Sequence, residues 1–189
     1  MAQKEFENEL KDVSAQLETL RKKRIELLGK IGEKEMTEDY TFANADGTTT
    51  KFSELFGDRK YLFVVHNMGG SCPACTMWGD AFNGTYKQIE DKGAFAFITA
   101  DPIEAHKQLK ETQGWKFRSA SCHGTTFAKD TDFWFEGKGN YPGISVFEKL
   151  EDGKIKRVSK DYFGPTDYYN NSFHVIDLLP TEDIKPYCG

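Results

Sequence analysis

The sequence predicts an α/β fold built on a partly parallel sheet covered on both faces. Three observations carry that reading. Residues 60–66 ("KYLFVVH") and 94–100 ("AFAFITA") are continuous apolar runs, the pattern of strands buried on both sides. A helical stretch over residues 72–91 separates them, and a second helical stretch follows the second run. Strands alternating with helices imply parallel neighbours joined by crossover helices.

The elements follow in order. Phe6, Leu10, Val13, Leu17, Leu20, Leu27 and Ile31 recur at steps of four and three, with Arg24 in the missing slot. This is an amphipathic helix with a narrow apolar seam, ended by Gly29 and Gly32. It is expected either to lie on its own domain or to pair with a second copy of the chain. Arg24 in the seam disfavours a long coiled coil. The chain is accordingly divided into a helical extension, residues 1–33, and one domain, residues 34–189. Asp46-Gly47, between short strand-like runs, predicts a hairpin before the core. Ahead of the second crossover helix, Asp101 is placed to cap, Pro102 to sit in the first turn and Glu104 to complete a capping box, and Gly114 to end the helix. Residues 115–121 read as a short strand and residues 122–140 as irregular. Residues 142–150 and 154–160 flank Glu151-Asp152-Gly153 as an antiparallel hairpin, and residues 166–179 read as a last helix.

Composition narrows the function. The chain has 189 residues, 38% hydrophobic and 29% charged, with a formal net charge of −5. That is a globular composition, and the acidic balance argues against nucleic acid as the main partner. The one dense basic run, Arg21 to Arg24, lies in the helical seam region and reads as a solvated face. No apolar run approaches the roughly 20 residues needed to cross a bilayer, and no signal-peptide core is present. A cytoplasmic location is expected, where four cysteines are more readily catalytic or metal-binding than structural.

The chemistry concentrates in "HNMGGSCPACTMWGD", residues 66–80. An apolar strand feeds a Cys-x-x-Cys that opens a helix. Cys72 takes the N-cap position and Pro73 the first helical one, where its missing N–H costs nothing. The free N–H groups of Ala74 and Cys75, with the positive end of the helix dipole, are expected to face the Cys72 sulfur and favour thiolate. Cys75 lies one turn on, on the same face, within disulfide reach. Cys72 is thus the expected nucleophile and Cys75 the resolving thiol. Two other readings compete: inert packing of both cysteines, and a zinc site. The second lacks a matching ligand pair, since only Cys122-His123 is on offer.

Residues 61–75 and 141–155 ("YPGISVFEKLEDGKI") resemble the thioredoxin superfamily, and the arrangement with the preceding hairpin of residues 46–57 resembles its peroxiredoxin-like and membrane-tethered thiol-reductase branches. Residues 52–68, 72–84 and 142–155 are similar to a bacterial thioredoxin-like family of unknown function described as a dithiol-disulfide oxidoreductase. The resemblance implies a central mixed sheet flanked by helices, and Cys72 and Cys75 as the redox pair. It implies that Pro142 is a cis-proline facing the disulfide, holding a backbone edge for a substrate strand. Tyr141 and Trp78 are assigned with Pro142 to substrate binding. Six positions before the first cysteine, where thioredoxins carry a buried acid, stands His66. It reads as a proton shuttle for Cys75 or as an ordinary hydrogen-bonded histidine at a strand end.

The chain also departs from the family patterns. No threonine stands three residues before Cys72 or Cys75, so the peroxidatic motif of peroxiredoxins is absent, and Ser71 replaces thioredoxin's tryptophan. Phe133, Trp134 and Phe135 are candidates to line a substrate groove or to pack over the sheet. Cys122 is a candidate for exchange with the pair, and Cys188 reads as incidental. The resulting expectation is a dithiol–disulfide oxidoreductase without bound cofactor or metal. It would act on a protein or low-molecular-weight disulfide and be regenerated by an external thiol reductant. A thiol-dependent peroxidase and a non-catalytic binding module are the alternatives.

Overall fold

A computed structural model of the chain describes residues 2–180. The long N-terminal helix α1 spans Ala2–Gly32, followed by short strands β1 (Lys34–Met36), β2 (Thr41–Ala43) and β3 (Thr49–Lys51) and a 3-10 turn, Phe52–Phe56. The core then alternates: β4 (Tyr61–Asn67), α2 (Pro73–Glu90), β5 (Ala94–Thr99), α3 (Ile103–Gln113) and β6 (Ser119–Ser121). The expected irregular stretch holds a single turn, α4 (Phe127–Asp130), and a small two-stranded ribbon, β7 (Trp134–Phe135) and β8 (Gly139–Asn140). Strands β9 (Gly143–Lys149) and β10 (Ile155–Tyr162) and a short helix α5 (Asn171–Ile176) complete it.

One eight-stranded sheet runs β1-β10-β9-β4-β5-β6-β2-β3. Strands β4, β5 and β6 are parallel, as the crossover helices require, and β9 lies antiparallel on the other side of β4 with Val65 opposite Ile144 and His66 opposite Gly143. Because side chains alternate along a strand, the sheet divides the core in two. Leu62, Val64, Ala96, Ile98 and Phe147 face the 3-10 turn, β2 and α4. Val65, Phe95 and Phe97 face α2, with Trp115 and Phe117 beside them.

The local reasons for the elements mostly match the sequence patterns. The hairpin at Asp46-Gly47 forms, with Gly47 at φ +84° and the Asp46 carboxylate accepting from Thr48 N–H at 3.0 Å. Two expectations fail. Asp101 does not cap α3: Pro102 is the N-cap, without a side-chain bond, because the Asp101 carboxylate is engaged elsewhere. The last helix shrinks to α5, because Asp167 and Asn170 turn their side chains onto nearby backbone instead. Asp167 accepts from the N–H groups of Gly164 and Tyr169, and Asn170 accepts from Ser172.

The first helix is only half integrated. Phe6, Leu10, Val13, Leu17 and Leu20 are exposed, so the seam does not lie on its own domain. Contact with the body begins at Arg24, which is paired with Asp161 and lies 5.3 Å from the ring centroid of Tyr168. At the helix end, a Cβ on Gly32 would come within 2.4 Å of the Ser159 and Lys160 backbone, so only glycine allows the approach to β10. Below it the buried Arg157 guanidinium donates to Gly32 O at 2.6 Å and to Asp132 Oδ2 at 2.6 Å, joining α1, β10 and the α4 segment. No helix among the described residues is long and apolar enough to cross a membrane.

Candidate active site

The site forms where β4 ends. Asn67 closes the strand, and its side-chain Oδ1 accepts from Gly69 N–H at 2.9 Å and from Thr99 Oγ1 at 3.1 Å. Its carbonyl accepts from Ala100 N–H. The loop before the cysteines is thereby tied to the end of β5. A carboxylate completes the tie: Asp101 Oδ2 accepts from Gly70 N–H at 2.7 Å. Gly69 stands at φ +126°, where a Cβ would lie 2.2 Å from Asp101 Oδ1. Both the backbone angle and the carboxylate therefore demand glycine.

Cys72 is the N-cap of α2, extended at φ −101° and ψ 108°, with Pro73 in the first turn. It is partly exposed. Its sulfur accepts no capping hydrogen bond, and the Cys75 N–H donates to the Cys72 carbonyl at 3.0 Å. What the helix start still offers the sulfur is its dipole and its remaining first-turn donors. Cys75 lies one turn on and is buried. Burial pushes its thiol up to about 12, against a backbone hydrogen bond from Met68, and the neighbouring Cys72 and Asp101 add to the rise. The pair is thus asymmetric: one sulfur at the surface, one held as a thiol behind it.

The other expected site residues separate into two groups. Pro142 lies near Cys75: with His66, Asn67, Trp78 and Phe163 the two line a narrow gap too small for water. Its preceding bond is trans, however, as no cis peptide bond occurs among the described residues. On either side of that bond Tyr141 N–H donates to Phe133 O and Pro142 O accepts from Phe163 N–H. Tyr141 is 40% exposed and stacks edge-on with Phe135 and Tyr162, an aromatic surface next to Pro142. Trp78 is not a surface contact. It shares the inward face of α2 with Cys75 and is 3% exposed, packed on Phe163.

His66 is the main correction. Strand alternation turns its ring to the face with Val64, away from Cys75. There Nε2 bonds Ser145 Oγ at 3.0 Å, and the ring stacks on Phe133 at 3.7 Å between centroids and on Phe127 at 5.4 Å. Burial, with Arg157 and Lys160 nearby, holds it well below its ordinary value, hence neutral. This geometry fits a hydrogen-bonded histidine at a strand end. Of the three candidate groove aromatics, Phe133 packs under the sheet while Trp134 and Phe135 are partly exposed. Cys122 also lies on the far face, buried, its thiol donating to Thr99 O and pushed up to about 12 by burial, so it is not placed to exchange with the pair. Cys188 lies outside the described residues.

Sequence reasoning missed Asp101, Asn67 and Gly69 as site residues. The signals were present: an asparagine closing an apolar strand, a glycine pair before the cysteines, and an aspartate at the end of the next parallel strand. It also missed His106, fully buried against Phe97 and Trp115, whose ring nitrogens have no hydrogen-bond partner among the described residues. Burial, helped by Lys110 and opposed by Asp101, lowers it to about 4, so it is neutral near pH 7.

A parallel β4-α2-β5 unit flanked by an antiparallel β9, with a cysteine at the N-terminus of α2, is a thioredoxin-like fold. Solved structures share the fold. They include PrxQ from Xylella fastidiosa in a cysteine-to-serine mutant (TM-score 0.61, 14% identity, 76% of this chain and 93% of that one). Peroxidoxin BcpB from Mycobacterium tuberculosis is another (TM-score 0.54, 18% identity, 67% and 82%). The chain belongs to the family described as bacterial protein of unknown function (DUF899), whose model matches residues 2–182. Comparison with curated proteins found no match.

Proposed function

We propose that this protein is a dithiol–disulfide oxidoreductase working through Cys72 and Cys75. The observation that carries the reading is the asymmetry of the pair: Cys72 partly exposed at a helix start, Cys75 buried one turn behind and held protonated. The Cys72 thiolate attacks one sulfur of a substrate disulfide. A mixed disulfide forms and the substrate's other sulfur leaves as a thiolate. Cys75 then loses its proton and attacks Cys72 Sγ, forming the Cys72–Cys75 disulfide and releasing the second substrate thiolate. Two electrons have passed to the substrate, whose thiolates take their protons from solvent, and an external dithiol reverses the change on the enzyme. Burial keeps Cys75 from competing as the first nucleophile. The Asp101 carboxylate opposes its ionisation and holds the loop that positions Cys72, which makes Asp101 a positioning residue.

Reduction of insulin disulfides with dithiothreitol as the terminal reductant tests this. Cys72→Ser is expected to abolish turnover. Cys75→Ser is expected to arrest the reaction as a mixed disulfide visible by mass. Unchanged turnover in Cys72→Ser would overturn the reading.

A second reading is favoured by one observation, that the structures sharing the fold include peroxiredoxins. In it a peroxide oxidises Cys72 to the sulfenic acid, releasing water or alcohol, and Cys75 condenses with it to the disulfide, releasing water. The missing threonine before Cys72 places this second. Peroxide consumption in the same assay, faster than insulin reduction, would promote it.

A further inference from the structure

The apolar seam of α1 is the largest feature that the redox site leaves unused. Phe6, Leu10, Leu17 and Leu20 are each more than half exposed, on a helix that leaves its own body at Arg24. Isolated, such a row of leucines has nothing to gain from regular spacing. The strict alternation of four and three is the spacing that seats side chains of one helix between those of another.

Charge decides which helix. Residues 2–18 carry five carboxylates and two lysines, whereas residues 19–32 carry five cations and one carboxylate. The helix is therefore acidic along its first half and basic along its second. A copy of itself laid in the opposite direction is its electrostatic complement.

We propose that α1 joins two copies of the chain as an antiparallel helix pair, centred at the level of Ala15. In that register Leu10 meets Leu20 of the second copy, and Val13 meets Leu17. Residues flanking the seam then fall into place. Glu7 lies opposite Arg21 and Glu9 opposite Lys23, each twice by the two-fold symmetry. Arg24 lies opposite Phe6, so its charge stays with Asp161 and Tyr168 of its own body and meets no second Arg24. A parallel pair does none of this. It sets Arg24 against Arg24, and it sets Glu9 against Ser14, Gln16 against Arg21 and Lys23 against Leu28, without one attractive pair. The antiparallel overlap from Phe6 to Arg24 is about 27 Å long at about 1.5 Å per residue. It carries the two bodies to opposite ends, where each N-terminal turn reaches the exposed Tyr168 of the other copy.

Light scattering on the full chain at micromolar concentration tests the proposal. The expected result is twice the chain mass, and a monomer would overturn it. Leu10→Glu with Leu17→Glu is expected to give a monomer. Both residues are solvent-exposed in the single chain, so the body's fold, read from the fluorescence of Trp78, Trp115 and Trp134 together, should be unchanged. A charge exchange separates direction from mere stickiness. Glu7→Lys with Glu9→Lys, and separately Arg21→Glu with Lys23→Glu, should each weaken self-association at least tenfold. Mixing the two variants should restore a dimer. Two variants that each dimerise as well as the parent, or a mixture that stays monomeric, would overturn the antiparallel register. Because none of these residues touches the cysteines, the outcome is independent of whether the protein reduces disulfides.

Discussion

At the scale of single residues, the site works by separating sulfurs and charges that a less ordered loop would mix. Asp101 shows this. Its carboxylate bonds Gly70 N–H and also raises the buried Cys75 thiol. Replacing it by asparagine keeps an acceptor for Gly70 and removes the charge. The release of a mixed disulfide by Cys75 is then expected to shift to lower pH in Asp101→Asn, measured as the rate of release against pH; a shift upward would contradict the assignment. His66 gives the opposite prediction. Its ring lies across the sheet from Cys75, so His66→Phe should leave turnover within about twofold. The cost falls on stability, by about 1–3 kcal/mol, because Ser145 Oγ loses its partner in the core. A change in the pH profile of turnover without loss of stability would restore the shuttle.

At the scale of elements, the molecule depends on the junction where α1, β10 and the α4 segment meet. Arg157 is fully buried there and serves Gly32 O and the Asp132 carboxylate together. Removing it leaves the Gly32 and Thr131 carbonyls without their donor, while the partly exposed Asp132 keeps Lys34 and Lys160. Arg157→Ala is expected to lower the unfolding free energy by about 3 kcal/mol, read from the urea midpoint. This junction was not legible in the sequence, where Arg157 is one more cation in an alternating strand. The strands themselves were legible, because residues 60–66 and 94–100 are apolar enough to be nothing else. So was Cys72 at the helix start, because strand, glycine pair and Pro73 all point to it locally. What could not be read was anything set by pairing register or distant partners. The face of the sheet taken by His66 follows from its position in β4, and the destination of Asp101 is a backbone amide 31 residues away. Neither is a local preference.

At the scale of the whole molecule, two buried histidines set the acid limit of stability. His66 and His106 are held below the ordinary histidine value of 6.5, His106 to about 4. Below 6.5 the unfolded chain takes up protons that the folded one refuses. Stability is therefore complete above that value and falls as the pH drops through the window. Each histidine contributes at most about 1.4 kcal/mol per pH unit. The depressed carboxylates Asp130 and Asp132 act only below the ordinary carboxylate range, so their loss comes later. Urea midpoints at about pH 7 and about pH 5 should differ in this direction, and His106→Phe, if it packs between Phe97 and Trp115, should remove part of the slope. Equal midpoints would show that neither ring is kept neutral by the fold.

The partition of the sulfurs by the sheet has a practical consequence. A thiol reagent meets Cys72 from solvent, Cys75 only after the first turn of α2 loosens, and Cys122 only when the opposite half of the interior lets go. With Cys188 changed to serine, the sequence in which added masses appear becomes a clock, reporting separately on how each side of this protein comes apart.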